Sequence, residues 1–290
     1  MRYIILVFLI TLIFLNCQSQ DLLPFRADTL WGYKDSQGVI KIEPQYQYAS
    51  RFIYEMAIVA KNGSLGAIDQ NNKQVVSFRY QFLQPLNTSE LLFGYRTKYF
   101  GEYTMGVITR DEKVIIPAEY SYIIKRQDTY IVTTKQDSII EKSPTGDVRS
   151  VRSFHGLLDS NGKALIPCKY EYLDWMNDSL IVLSKRVQGT NQALFNKRGE
   201  QLTGFEYMVF GKLTEGVAKA RIGNKFGFIY PNGKVAIPIQ FDYCEDFSNG
   251  YALIKEKDNW GAINKEGTII IEPKLEYQEV KAILKEKFGS

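Results

Sequence analysis

The sequence predicts an all-β protein built from seven short stacked repeats. Two observations lead to that expectation. A string of eighteen residues is written twice, as WGYKDSQGVIKIEPQYQY from Trp31 and as WGAINKEGTIIIEPKLEY from Trp260. Related strings then recur between them, with starts at Trp31, Leu65, Met105, His155, Gln192, Phe226 and Trp260. A period of about 34 residues is the mark of supersecondary units that bury a core only by stacking on their neighbours. The 19 Tyr and 17 Phe among 290 residues add a lean towards strands.

Each column of the repeat has a physical task. Position two is Gly32, Gly66, Gly106, Gly156, Gly227 and Gly261, with Ala193 as the exception. A missing side chain there admits another backbone or ring at close range. Positions three and four are a short apolar strand, as in Val107-Ile108 or Phe228-Ile229. Asp35, Asp69, Asp159, Asn196 or Asn264 then opens a turn that Gly38, Asn72, Gly162, Gly199, Gly233 or Gly267 closes. That pairing predicts a tight hairpin with a left-handed residue, and only Glu112 breaks it. A second strand runs into Pro44, Pro117, Pro167, Pro238 or Pro273, where the ladder loses a donor. Paired aromatics follow: Tyr46/Tyr48, Tyr80/Phe82, Tyr120/Tyr122, Tyr170/Tyr172 and Phe241/Tyr243. Their period-two spacing predicts one shared face. A third strand, such as Met56–Val59 or Tyr251–Ile254, leads into the next unit.

This ordered string resembles the WG-repeat family, named for the Trp-Gly pair that starts each unit. The resemblance covers residue 31 to about 289 and implies an all-β repeat array with no stated activity. Seven three-stranded repeats of about 34 residues are expected to stack as an open, solenoid-like array. The alternative is a closed seven-bladed propeller, whose four-stranded blades ordinarily take about 40–45 residues. Lys287-Phe288-Gly289 reads as the start of an eighth unit cut short.

Residues 1–20 read as a signal peptide, and 21–290 as the repeat domain. Arg2 precedes an apolar run from Ile4 to Leu15, too short to span a bilayer. Cys17 then resembles the lipidated cysteine of bacterial lipoproteins, which implies a membrane-anchored lipoprotein of the envelope. Ordinary cleavage after Ser19, giving a periplasmic or secreted soluble protein, is the alternative. Cys168 and Cys244 lie in different repeats and read as two unpaired thiols.

The composition excludes much chemistry. A net charge of +4 is too balanced to predict nucleic-acid binding. His155 is the single histidine and occupies the Trp-Gly column, so a histidine-based nucleophilic site and a zinc site both lack their parts. No cofactor fingerprint is present. The Asp-Ser-Gln-Gly and Asp-Ser-Asn-Gly stretches are turns that lack the ligand pattern of a calcium loop. The expected function is therefore non-enzymatic binding or scaffolding of a protein or glycan. A carboxylate-dependent, glycan-active hydrolase is the alternative, with Asp174, Asp178, Glu215 and Asp246 as its loop acids.

Two insertions lengthen the middle repeats, at 94–103 and 136–153. Insertions in repeat proteins map to loops on one face, often the binding face. They are expected to bring Tyr95, Tyr99, Phe100 and Tyr103 beside Lys142, Arg149 and Arg152, the aromatic and arginine mixture of interface hot spots.

Overall fold

The computed structural model describes residues 22–97, 102–141, 148–186 and 191–289. Cys17 and the expected signal peptide, residues 1–20, lie outside them. The chain separates into two compact units, Met1–Phe93 with Thr109–Lys113, and Gly94–Ile108 with Val114–Ser290.

Among the described residues the strands form seven antiparallel sheets, five of four strands and two of three. Each runs in sequence order, as in sheet two: Tyr48–Ala49, Ala57–Lys61, Ser64–Ile68 and Gln74–Tyr80. The expected three-stranded unit is thus corrected to four. The correction comes from the paired aromatics. Strand Ile40–Tyr46 ends on the first ring, the chain bends at Gln47, and the second ring opens the next sheet. Gln47 donates its N–H to Ala60 O at 2.9 Å, so pairing has already moved on. The two rings do not share a face. Tyr46 is 4% exposed and Tyr48 is 49% exposed. Tyr170 and Phe241 are likewise buried where Tyr172 and Tyr243 are exposed.

The Gly and Pro columns prove to be one device. Trp31 pairs with Tyr46 and Tyr33 with Ile42, so Glu43-Pro44-Gln45 bulges over Gly32. A Cβ on Gly32 would lie 2.4 Å from Ile42 O and 2.8 Å from Pro44 N. Gly227 and Gly261 sit under the same bulge, each within 2.5 Å of a backbone oxygen on this measure. Where Ala193 replaces the glycine and no proline follows, sheet five has no fourth strand.

The hairpin turns form as expected. Gly38 has φ +85° and donates to Asp35 O at 3.0 Å. The Asp35 side chain accepts the N–H groups of Gln37 and Val39 at 3.0 and 2.9 Å. These turns also reach the previous sheet. A Cβ on Gly233 would sit 2.4 Å from Leu202 O, and one on Gly162 2.2 Å from Ile115 O.

Core residues lie between consecutive sheets. Tyr33, Ile42 and Tyr46 of sheet one pack on Ala49, Ala57, Val59 and Ile68 of sheet two. Phe228, Ile237 and Phe241 of sheet six pack on Cys244, Phe247, Ala252 and Ile254 of sheet seven. Inner strands are covered on both faces, so stretches such as Ala57-Ile58-Val59 read as continuous apolar runs. Cys168 and Cys244 are unpaired. Burial pushes the Cys244 thiol up to about 12.

Residues Tyr277–Phe288 correct the expected eighth unit: they form an α-helix. Glu276 and Glu279 make a reciprocal capping box, and Gly289 closes the C-terminus in the left-handed region. Val280 and Leu284, one turn apart, pack on Tyr251, Leu253 and Ala262 of sheet seven.

Candidate functional site

The first column of the repeat is a seam and not core. Trp31, Leu65, Met105, His155, Gln192, Phe226 and Trp260 are all half-buried. Trp31 lies on the second strand of its three-stranded sheet, and each of the others on the third strand. In the last repeats the column alternates with the second aromatics that precede and follow it. Ring centroids run Phe226 to Tyr243 at 5.4 Å, Tyr243 to Trp260 at 5.8 Å and Trp260 to Tyr277 at 4.9 Å. Arg221, Lys219, Lys255 and Lys281 lie over these four rings at 5.4 to 6.0 Å. Such cation–π contacts at exposed sites contribute about 0.5–1 kcal/mol each.

At Leu65 and at Gln192 the same seam opens into a groove. In the first unit a cavity of about 500 Å³ is lined by Tyr48, Ser50, Arg51, Ile58, Leu65, Phe82 and Leu83, among others. In the second unit one of about 490 Å³ is lined by Tyr172, Asp174, Trp175, Val182, Gln192, Phe210 and Lys212, among others. The two are equivalent by strand register. Tyr48 pairs with Ala60 as Tyr172 pairs with Ser184, and Leu65 faces Tyr80 as Gln192 faces Tyr207. Ser50 thus corresponds to Asp174, Arg51 to Trp175 and Leu65 to Gln192. At the last interface the corresponding residue is Trp260, whose ring is packed between Tyr243 and Tyr277.

The grooves differ in chemistry. The first is lined mainly by aliphatic and aromatic groups, with the Arg51 guanidinium, the Ser50 hydroxyl and the Gln84 carboxamide as its polar side chains. The second brings Asp174, Asn177, Gln192 and Lys212 beside Tyr172, Trp175 and Met176. Asp174 accepts the Tyr172 hydroxyl at 3.1 Å and the Trp175 backbone N–H at 2.8 Å. The Trp175 indole N–H is buried and has no hydrogen-bond partner among the described residues. Arg126 lies over its ring at 4.7 Å and pairs with Asp178 at 3.1 Å. Of these groove residues the sequence marked Asp174 as a loop acid, Tyr48 and Tyr172 as column aromatics, and Leu65 and Gln192 as repeat starts that are not Trp; it did not single out Arg51, Trp175, Asn177 or Lys212.

The residues expected on the insertions fall as follows. Tyr95 is exposed on strand Glu90–Arg96, and Tyr103 is half-buried at the start of strand Tyr103–Thr109. Thr97 donates its N–H to Glu102 O at 3.0 Å. The second insertion lengthens the hairpin of Thr129–Glu141 with Val148–Asp159, where Gln136 pairs with Arg152 and Ile139 with Arg149. Arg152 is exposed and lies 3.3 Å from Glu171. Lys135 Nζ lies 2.8 Å from Glu102 Oε1, which ties the stems of the two hairpins together. Tyr99, Phe100 and Lys142 lie outside the described residues, as does the Arg149 side chain.

His155 sits in the seam with Nδ1 3.0 Å from Thr133 Oγ1, and burial lowers its pKa. Among the described residues no three His, Cys, Asp or Glu side chains gather as a metal ion requires.

Consecutive antiparallel sheets, carrying a Gly–Pro bulge that recurs within them and faced by an aromatic seam, define a β-repeat protein. The family described as WG containing repeat matches residues 31–64, 156–182, 226–260 and 260–283, and the chain is a WG-repeat protein. No curated protein matches it. Among solved structures it is similar to the crystal structure of the eukaryotic initiation factor at 10% identity, over 87% of this chain and 74% of that one, with a TM-score of 0.34. The N-terminal domain of Nup159 is similar at 12% identity, over 86% and 85%, with a TM-score of 0.30. A protein of unknown function from Bacteroides caccae is similar at 13% identity, over 72% and 89%, with a TM-score of 0.21. At these scores the likeness carries no argument about function.

Proposed function

We propose that the protein is a non-enzymatic, exported binding or scaffold protein of a bacterial envelope, tethered through lipid on Cys17. Its repeats form an open stacked array that presents the seam and the two adjoining hairpin insertions to a partner. The observation that carries this reading is the recurrence of one groove at two equivalent repeat interfaces, with different chemistry in each. A structural by-product of stacking would keep the same filling throughout, as Trp260 does. The helix over sheet seven supports the open array, because Val280 and Leu284 cover the face on which a further sheet would stack. Asp174 is the single carboxylate lining the Tyr172 groove, whereas glycoside hydrolysis ordinarily needs two.

The test is capture of partners from a native envelope extract with the mature chain as bait. Tyr48→Ala with Tyr172→Ala is expected to lose captured partners while circular dichroism stays unchanged, since both rings are exposed and outside the core. A second variant, lacking 138–150 and carrying Tyr99→Ala and Phe100→Ala, asks the same of the insertions. Retention of every partner by both folded variants overturns the reading. Separately, Cys17→Ser is expected to move the protein out of the membrane fraction. Unchanged membrane retention, with a mature N-terminus beyond residue 17, removes the tether.

A further inference from the structure

We propose that the Tyr172–Gln192 groove of the second unit is a subsite for a neutral saccharide. This rests on the reading of the seam as a binding surface and names the ligand class of one of its grooves.

The inference starts from what the groove holds beyond its counterpart. At the same register positions Ser50 becomes Asp174, Arg51 becomes Trp175 and Leu65 becomes Gln192. The exchange replaces a hydroxyl, a cationic group and an aliphatic one with a carboxylate, an indole and a carboxamide. An apolar ligand, such as a hydrophobic peptide side chain, suits the Leu65 groove. In the Tyr172 groove it would cover polar groups without replacing their hydrogen bonds, at about 1–3 kcal/mol for each group left unpaired.

Charge narrows the ligand further. Asp174 and Lys212 line the groove together, so a cationic ligand meets Lys212 and an anionic one meets Asp174. Opposite charges at the two sides favour a ligand that is neutral yet rich in donors and acceptors. The donors are fixed in advance. Asn177 Oδ1 accepts the N–H groups of Ser179 and Leu180 at 2.8 and 2.9 Å, which locks the carboxamide and leaves its NH2 as donor. Asp174 is held by Tyr172 and the Trp175 backbone. The Trp175 indole, whose N–H is buried and has no partner among the described residues, forms part of the wall.

Apolar surface completes the match. Tyr172 is 37% exposed, and Met176 and Leu213 lie in the same lining. A pyranose ring presents hydroxyls around its edge and C–H groups on its faces. It can therefore meet the planar polar groups and the apolar wall at once, within a volume of about 490 Å³.

The experiment uses the mature chain labelled with ¹⁵N and titrated with glucose, N-acetylglucosamine, maltose and cellobiose. Glucuronate and glucosamine are the charged controls. The protein has three tryptophans, so the Trp175 indole resonance is assigned with Trp175→Phe. At least one neutral sugar is expected to shift that resonance and to bind more tightly than either charged control. Gln192→Leu and Asp174→Ser, which copy the equivalent groove, are each expected to weaken binding roughly fivefold to tenfold with the melting temperature unchanged. The proposal is overturned if no neutral sugar shifts the Trp175 resonance, or if a charged control binds more tightly. It is also overturned if both variants bind like the parent. If the sugars fail while Tyr172→Ala still abolishes capture of an envelope partner, the saccharide assignment falls and the binding surface stands.

Discussion

Gly233→Ala is expected to lose roughly 3 kcal/mol of folding stability, about twice the loss from Gly250→Ala. Both glycines have left-handed backbones, with φ +81° and +83°. Any residue with a β-carbon in that region costs about 1–2 kcal/mol. Their surroundings differ. A Cβ on Gly250 meets nothing within 4 Å, whereas one on Gly233 lies 2.4 Å from Leu202 O and 2.8 Å from Leu202 C. Those atoms are backbone and cannot rotate away. The turn must lift off the Leu202 segment of the preceding repeat, and overpacking of that kind adds about 1–3 kcal/mol. Gly233→Val, bulkier and β-branched, is expected to lower the melting temperature by on the order of 5–10 °C. Urea midpoints of the three variants check the comparison. Equal losses at Gly233 and Gly250 would show that the turn does not rest on the neighbouring sheet.

The same glycines show how much was legible beforehand. An Asp or Asn followed three residues later by Gly specifies its own turn, because side chain and φ act within five residues. The contact between Gly233 and Leu202 involves the neighbouring repeat, and nothing in a single repeat encodes it. Tyr46 and Tyr48 failed for a related reason. Period-two spacing puts two rings on one face only while the strand continues, and the bend at Gln47 ends it. The C-terminal helix was misread because the repeat pattern outweighed local signals. Glu279, Ala282, Leu284, Lys285 and Glu286 are good helix formers, and Gly289 is a conventional stop. The grooves were half legible. Leu65 and Gln192 stood out as departures from Trp, but the residues that line the openings come from two sheets. Only the register brings Asp174, Trp175 and Lys212 together.

Glu112 occupies the turn position that is glycine in most other repeats, and it should carry a measurable share of the acid sensitivity of the fold. Its φ of +64° is unfavourable for a residue with a β-carbon. Its carboxylate offsets that cost. Oε1 accepts the Ser77 N–H at 2.8 Å. Oε2 accepts the Ser77 hydroxyl at 2.7 Å, the Tyr80 hydroxyl at 2.8 Å and Arg79 Nη2 at 2.6 Å. Asn72 does the same one repeat earlier, accepting the Tyr46 hydroxyl at 2.6 Å. Partial burial raises the Glu112 pKa, but the bonds from Ser77 and Tyr80 and the charge of Arg79 outweigh it, so the net shift is downward from 4.5. Burial, with the bond to Glu112 adding to it, pushes the Tyr80 hydroxyl up to about 12. A folded-state pKa below the unfolded one gives stability that is present above the unfolded value. That stability is lost as pH falls through the depressed folded value. The urea midpoint of the parent is therefore expected to decline below about pH 4.5. Glu112→Gln should start lower at pH 7 and decline less, because its amide donor faces other donors and nothing titrates. Glu112→Ala, which leaves the Ser77 N–H without its acceptor, is expected to cost about 2–4 kcal/mol at neutral pH. Glu112→Gly should recover about 1 kcal/mol of that by relieving the backbone. Parallel acid profiles for the parent and Glu112→Gln would mean that the carboxylate holds no net charge-dependent stability in the fold.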